Sequence, residues 1–501
     1  MTTTSWAHGV SGDFDDMTKW TADHVPVAGD TALIEAHGSY TVTSSQLNTL
    51  ADLEMAKTAT LDIADHHMVI ASGTGSGALA GTIDVMNDTA LVLGTASSDT
   101  TFKNTGTINV QSGIESDDNA KLQVTGTVTL TGNGDVVLSG FDAVITAAST
   151  DAGTLINGSK SSASTISGTG AITDVGAAFA FTNSAKGVID GNDPAGLTID
   201  LDRTNNSGIL EATGEDGILN LEGDIEQTAK GLIKAVQGGS QVDLSDSGPN
   251  GEDNALIDGG ELFIGKGSFF ESVGDPTGIE NIIGTSTKTE NKGTLQADSG
   301  TLLIEANVDN VGTLVAQAGS VLQVVGASTG GQADVDSGGE IQFFDDTGPK
   351  TTTNVTFEGG GGILHLTKPA DFTGTVTGNL TGGAGVQLGN IAFADNPTLS
   401  YNSSRQLLTV TDSHSGVTDT IKIVGTTMFA KTDAVDGTGQ VVITGAGPGS
   451  PSAPQNSLPL LTQSMASFGA SGGVAPSGAT SPAGHHGSSD FLTASAAQGH
   501  Q

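Results

Sequence analysis

Asp243, Ser245, Asp246, Glu252 and Asp253 form the densest set of oxygen donors in the chain, around the turn Asp243-Leu-Ser-Asp-Ser-Gly-Pro-Asn-Gly-Glu-Asp253. A hard cation such as calcium takes roughly six to eight oxygens from carboxylates, carbonyls and water. These five residues are the candidate metal ligands, and calcium is the candidate cofactor. The stretch is not an EF-hand loop, and the nonapeptide Gly-Gly-x-Gly-x-Asp repeat is absent. A solvated acidic loop is the plainer reading.

A second chemistry is glycoside cleavage. Hydrolysis uses two carboxyl groups about 5 to 9.5 Å apart. Glu211 with Asp190, and Asp224 with Asp202, lie about one repeat apart in sequence, so adjacent turns of a repeating fold would bring each pair together. Against this, aromatics make up only 4% of the chain and leave little to stack a sugar. A cleft built on Trp6 and Trp20 is the one aromatic alternative. His66-His67 and His485-His486 are adjacent pairs, which point to opposite faces of a strand and chelate poorly. There is no His-Glu-x-x-His, Gly-x-Ser-x-Gly or phosphate loop. The chain is therefore expected not to be an enzyme, with a polysaccharide lyase or hydrolase as the alternative.

The elements that would position these residues are repeats. Asn291-Lys-Gly293-Thr-Leu-x-Ala and Asn310-Val-Gly312-Thr-Leu-x-Ala are near copies, and their glycines are 19 residues apart. Weaker copies lie at Lys103–Val110, Asn183–Ile189, Asn206–Ala212 and Ala229–Ala235, with Gly187, Gly208 and Gly231 spaced 21 and 23 residues apart. A unit of this length cannot bury its apolar face alone and must stack on its neighbours. The spacing predicts a parallel β-helix of about 14 coils, on the order of 70 Å long at the ~4.8 Å separation of paired strands. Asn at the head of each repeat is expected to stack into a ladder. Gly126 and Gly132-Asn133-Gly134 are expected at corners, where positive φ is needed. Residues 151–182 and 237–290 fit the repeat poorly and are expected to form looser coils or side loops.

Composition supports this. The chain has 501 residues, 73 Gly, no Cys and a formal net charge of −39. A thin solenoid interior takes Val, Ile, Leu and Ala rather than rings. Absence of Cys excludes disulfides and thiolate metal sites. The charge argues against nucleic acid and anionic lipid as partners. No apolar run reaches the ~20 residues of a membrane helix, and the first residues lack a secretory signal pattern.

Residues 1–45 differ from the rest and are expected to cap the first coil. They read Trp6, Phe14, Trp20, Val25-Pro26, Asp30-x-Ala32-x-Ile34 and Tyr40-Thr-Val42. In that order they resemble the N-terminal module of large secreted alphaproteobacterial proteins described as β-strand repeat or haemagglutinin-like surface proteins. The block 350–444 also resembles those proteins, whose strand-rich module carries Phe-x-Gly-x-Val/Ile. Where members show Asp-x-Ile-Asp-Leu, this chain has Gly385-Val-Gln-Leu-Gly389, without the acidic residues. Residues 445–501 are rich in Gly, Ser, Ala and Pro and predict a flexible tail. The tail resembles an uncleaved C-terminal signal for one-step type I export.

The resulting expectation is an all-β protein: an N-terminal cap (1–45), a β-solenoid (46–349), a C-terminal strand-rich module (350–444) and a disordered tail (445–501). It is expected at the bacterial cell surface or outside the cell, as a scaffold in adhesion, extracellular matrix or surface-array assembly. Its expected partners are extracellular polysaccharide, a surface protein or further copies of itself. A calcium-dependent surface-layer-like lattice is a further alternative.

Overall fold

The computed structural model describes residues 2–21, 23–72, 77–113, 119–148, 151–245, 254–274, 280–344 and 349–446. The C-terminal tail from 447 onward, together with Asp246, Glu252 and Asp253, lies outside them.

Alternation of apolar and polar residues, as in Tyr40–Ser44 and Ala59–Ile63, gives strands with one buried and one outward face. These strands stack in parallel as a β-solenoid of about 14 turns. Each turn contributes to three sheets. Sheet A holds 14 strands, from Gly12–Asp13 to Ser328–Thr329. Sheet B runs from Asn48–Leu50 through Gln241–Ser245 and Phe269–Val273 to Thr375–Thr377. Sheet C runs from Thr3–Ser5 through Phe179–Asn183 and Val321–Val324 to Gly385–Ala392.

Where a corner is shallow, one strand serves two sheets. Ala120–Thr131 pairs with Ala90–Gly94 in sheet B through its first half. Its second half pairs with Thr100–Lys103 in sheet C. Gly126, at φ 67°, makes the bend, as the sequence predicts.

Register holds like residues over like. The inward ladder of sheet A begins Val42, Leu61, Ile83, Ile108, Val136, Ile166 and continues through Ile189, Leu210, Ile233 and Leu262. Every member is buried. Full burial of one such side chain stabilises by about 1.5–3 kcal/mol relative to exposure. A second buried column, Ile63, Val85, Val110 and Leu138, runs beside it on the same face.

The expected asparagine ladder is present, and it is buried. Asn157 Nδ2 donates to Asn183 Oδ1 at 3.0 Å, and Asn183 Nδ2 to Asn206 Oδ1 at 3.0 Å. Asn206 Nδ2 donates to Gln227 Oε1 at 2.9 Å. The second amide hydrogen of Asn183 reaches Ile209 O at 3.0 Å, so neither donor is wasted in the dry interior. Asn157 Oδ1, at the upstream end of this ladder, has no hydrogen-bond partner among the described residues.

A second ladder, from Asn291 Nδ2 to Asn310 Oδ1 at 2.9 Å, occupies a different corner. Asn183 and Asn206 end strands of sheet C and lead into sheet A. Asn291 and Asn310 end strands of sheet A and lead into sheet B. The phrase Asn-x-Gly thus marks a corner, not one particular corner. The glycines of this phrase answer a steric need. Gly312 has no positive φ. A Cβ there would lie 2.1 Å from Gly293 O, the backbone of the turn below.

Residues 151–182, expected to be loose, form regular stacked strands at Gly153–Asn157, Ser164–Gly168, Gly170–Thr173 and Phe179–Asn183. Small inward residues such as Ser164 and Gly168 hide the pattern without breaking the backbone ladder. In the 237–290 stretch, Gln241–Ser245, Glu261–Ile264 and Phe269–Val273 likewise sit in register. Residues 246–253 and 275–279 of that stretch fall outside the described set.

In the first turns, Trp6, Phe14 and Trp20 are buried and meet edge to face, with centroids 5.1 and 5.0 Å apart. Parallel stacking passes residue 350 and runs to Ala392. Beyond it the chain adds antiparallel hairpins, although Thr418–Val424 joins Thr375–Thr377 in parallel. Thr398–Asn402, Leu407–Thr411 and Thr418–Val424 extend sheet B. Phe429–Asp433 and Gln440–Gly445 extend sheet C. Tyr401 and Phe429 meet between the two extensions at 5.0 Å.

Two substitutions test this account in urea denaturation followed by circular dichroism. Asn183→Ala leaves ladder partners unpaired in the interior, and a loss of about 1–3 kcal/mol is expected. Gly312→Ala forces the turns apart and is expected to cost about 1–3 kcal/mol. Unchanged midpoints for both would contradict the stacked interior.

Candidate functional site

Because strands alternate, every second residue of sheets A and B faces outward and stacks on its equivalent one turn away. The chemistry-bearing residues lie on these outer ladders.

On sheet A the ladder reads Asp190, Glu211, Lys234, Phe263, Glu290, Asp309. The structure therefore sets Asp190 directly opposite Glu211, one of the two pairs expected from spacing. The pair is not free for acid–base work. Lys234 Nζ holds Glu211 Oε2 at 2.6 Å. Thr213 Oγ1 donates to Asp190 Oδ1 at 2.7 Å. Burial chiefly, with Glu211 adding to it, pushes the Asp190 carboxyl above its ordinary value. Further along, Lys292 Nζ lies 2.6 Å from Glu290 Oε1 and 4.9 Å from the centre of the Phe263 ring.

The other expected pair is not formed by the register. A bulge between Asp200 and Arg203 puts Arg203, not Asp202, opposite Asp224. Asp202 is exposed. One extra residue in a strand moves a side chain to the other face, and sequence spacing alone does not register this.

On sheet B, Asp243 and Ser245 of the calcium candidates both stand on the strand Gln241–Ser245. Asp246, Glu252 and Asp253 are outside the described residues. The nearest acidic neighbour of Asp243 lies on the next turn: it stands opposite Glu271, which in turn stands opposite Gln296. Gln241 Nε2 donates to Asp243 Oδ1 at 2.8 Å, and Gln296 Nε2 to Glu271 Oε1 at 2.7 Å. Burial raises Asp243 to about 6, with the Asp298 charge adding to it. Burial, then Asp243 and Asp298, raises Glu271 to about 7. Glu271 escapes sequence reasoning because the insertion after Ser245 puts it further along than one repeat. Only the strand pairing reveals the neighbourhood.

Among the described residues no group of three or more His, Asp or Glu is placed to hold a metal ion. No described helix is long and apolar enough to cross a membrane. The sugar cleft on Trp6 and Trp20 is absent. Both rings are internal, and their Nε1 groups donate to Val10 O at 3.0 Å and Phe14 O at 2.7 Å. A shallow hollow beside them is lined by Trp6, His8, Glu35 and His37.

Compared with protein-family models, with curated proteins and with solved structures, the chain matches none.

Asp243 and Glu271 both take up protons on folding, since each is protonated more readily in place than in the unfolded chain. The stability they confer is complete below the ordinary carboxyl range. It is lost as pH rises through about 6 for Asp243 and about 7 for Glu271. Glu271→Gln, which keeps the acceptor for Gln296, is expected to raise the thermal midpoint near about pH 8 and to leave it unchanged near about pH 5. Differential scanning calorimetry at the two pH values checks this.

Proposed function

We propose that the chain is a surface-exposed or secreted scaffold that binds through its outer ladders. The observation that carries this reading is repetition of the turn: successive turns set outward side chains such as Asp190, Glu211 and Lys234 one strand spacing apart. Several weak contacts along one face sum to avidity. The partners that fit are neutral or cationic polymers, a surface protein, or another copy of the chain, because a net charge of −39 repels polyanions.

Binding is favoured over turnover. Glu211 is engaged by Lys234, and the Trp6 and Trp20 rings are internal. The resemblance to β-strand repeat surface proteins supports placement at the bacterial cell surface, and the Gly/Ser-rich tail is proposed as the export signal. Calcium is proposed only as an ion that would act near Asp243 and Ser245 on sheet B.

Fractionation of producing cells tests this. Full-length protein is expected in the medium or on the cell surface, and a chain ending at Gly445 is expected to stay inside. Retention of both forms inside would remove the surface reading. Incubation of the purified chain with acidic and neutral glycans is expected to release no reducing ends or unsaturated products. Turnover abolished by Glu211→Ala would instead favour the enzyme.

A further inference from the structure

The last turns of sheet C carry an outward polar cluster that the scaffold reading does not use. Gln342, His365 and Gln387 stack across three consecutive strands. Glu340 stands two residues before Gln342 on the same strand, with Val321 opposite it in the preceding turn. The hairpin Phe429–Asp433/Gln440–Gly445 adds its second strand antiparallel to Gly385–Ala392. Its tip is tied to the outer face of the same sheet. Gln387 Nε2 donates to Asp436 Oδ2 at 2.7 Å and to Gln440 Oε1 at 2.9 Å. Thr438 fixes Asp436 from within the tip, its backbone N–H donating at 2.9 Å and its hydroxyl at 2.7 Å.

Under this tip lie two titratable groups with little access to water. Glu340 and His365 side chains are 19% and 12% exposed, with Oε1 and Nδ1 3.9 Å apart. Gln342 Nε2 donates to Glu340 Oε1 at 2.8 Å. His365 Nε2 is buried with no hydrogen-bond partner among the described residues. Asp436 is the one further charged group acting on both.

We infer that the C-terminal hairpin is a proton-dependent clasp, closed over the end of sheet C while Glu340 is uncharged and loosened when Glu340 ionises under Asp436. An ionised Glu340 would be a second negative charge in a poorly hydrated contact, with only a neutral imidazole and an amide beside it.

The titrations agree in sign above the ordinary histidine range. Burial, opposed by Gln342 and reinforced by Asp436, raises Glu340 to about 7. The closure it supports is complete below the ordinary glutamate value and is lost as pH rises through about 7. Burial holds His365 below its ordinary value, with Asp436 and Gln440 opposing. Its contribution is complete above the ordinary imidazole value and is lost as pH falls, so it does not shape the alkaline limb. Hydrogen bonds from Thr438 and Gln387 outweigh burial and keep Asp436 low, so it stays charged throughout. Above the ordinary imidazole value Glu340 therefore sets the change, and from about pH 6.5 to about pH 8 it weakens closure about fourfold.

Hydrogen exchange of the full-length protein, read as protection factors for peptides covering Phe429–Gly445, tests the clasp. Protection is expected to fall about fourfold from about pH 6.5 to about pH 8. In Glu340→Gln it is expected to stay flat, while Glu271→Gln, a raised carboxyl on another sheet, keeps the wild-type dependence. Flat protection in the wild type, or an unchanged fall in Glu340→Gln, overturns the proposal. Asp436→Asn gives an independent reading, because removing the repelling charge must shallow the fall. A fall as steep as that of the wild type also overturns it.

Discussion

Everything in this molecule depends on one constraint: each turn of backbone must lie in parallel register on the next, one strand spacing away. Hydrogen bonds between turns then run unbroken, and equivalent side chains are forced into contact. Aliphatic residues stack inside as in Val42, Leu61 and Ile83. Glycine is required where a side chain would strike the next turn, as Gly312 would strike Gly293 O. Buried amides are tolerated only because stacking supplies each with a partner of its own kind. That explains why Asn183, placed between Asn157 and Asn206, sits in a dry interior with both amide hydrogens used.

The same constraint shapes the surface. Outward residues are also forced together, including like charges. Asp62 stands opposite Asp84, and burial together with the Asp84 charge raises Asp62 above its ordinary value. Where a lysine falls in the column, as Lys234 does, or just beyond its strand, as Lys292 does, a neighbouring carboxylate pairs with it. Where none does, as at Asp243 and Glu271, burial and neighbouring charge favour the protonated form. At Asp62, Asp243 and Glu271 the stacking of turns thus favours the protonated carboxyl, and their contribution to stability is greatest in mild acid. The pressure comes from the fold, not from any one residue.

Ends are the weak points of such a fold, because the last turn has no successor to pair with. At the start, Trp6, Phe14 and Trp20 fill the interior, which is why the tryptophans of the chain are both there. At the other end the solution is topological. The backbone reverses and pairs antiparallel with Gly385–Ala392 in sheet C, Thr418–Val424 pairs parallel with Thr375–Thr377 in sheet B, and Tyr401 meets Phe429 between the two extended sheets.

Local periodicity was sufficient to identify the solenoid, its approximate number of turns, the asparagine ladder and the corner at Gly126, because each is a property of residues within one turn and its immediate copy. Spacing also found Asp190 with Glu211, which are one undistorted repeat apart. It could not separate Asp202 from Arg203 opposite Asp224, because a single-residue bulge changes which face a side chain takes without changing the pattern around it. It gave no hint of Glu271 beside Asp243, or of Asp436 over Glu340 and His365, because an insertion and a chain reversal set those distances. The residues alone determined what kind of turn the chain winds into. Only the folded register decided which of its many carboxylates meet, since that depends on the summed length of every corner between them.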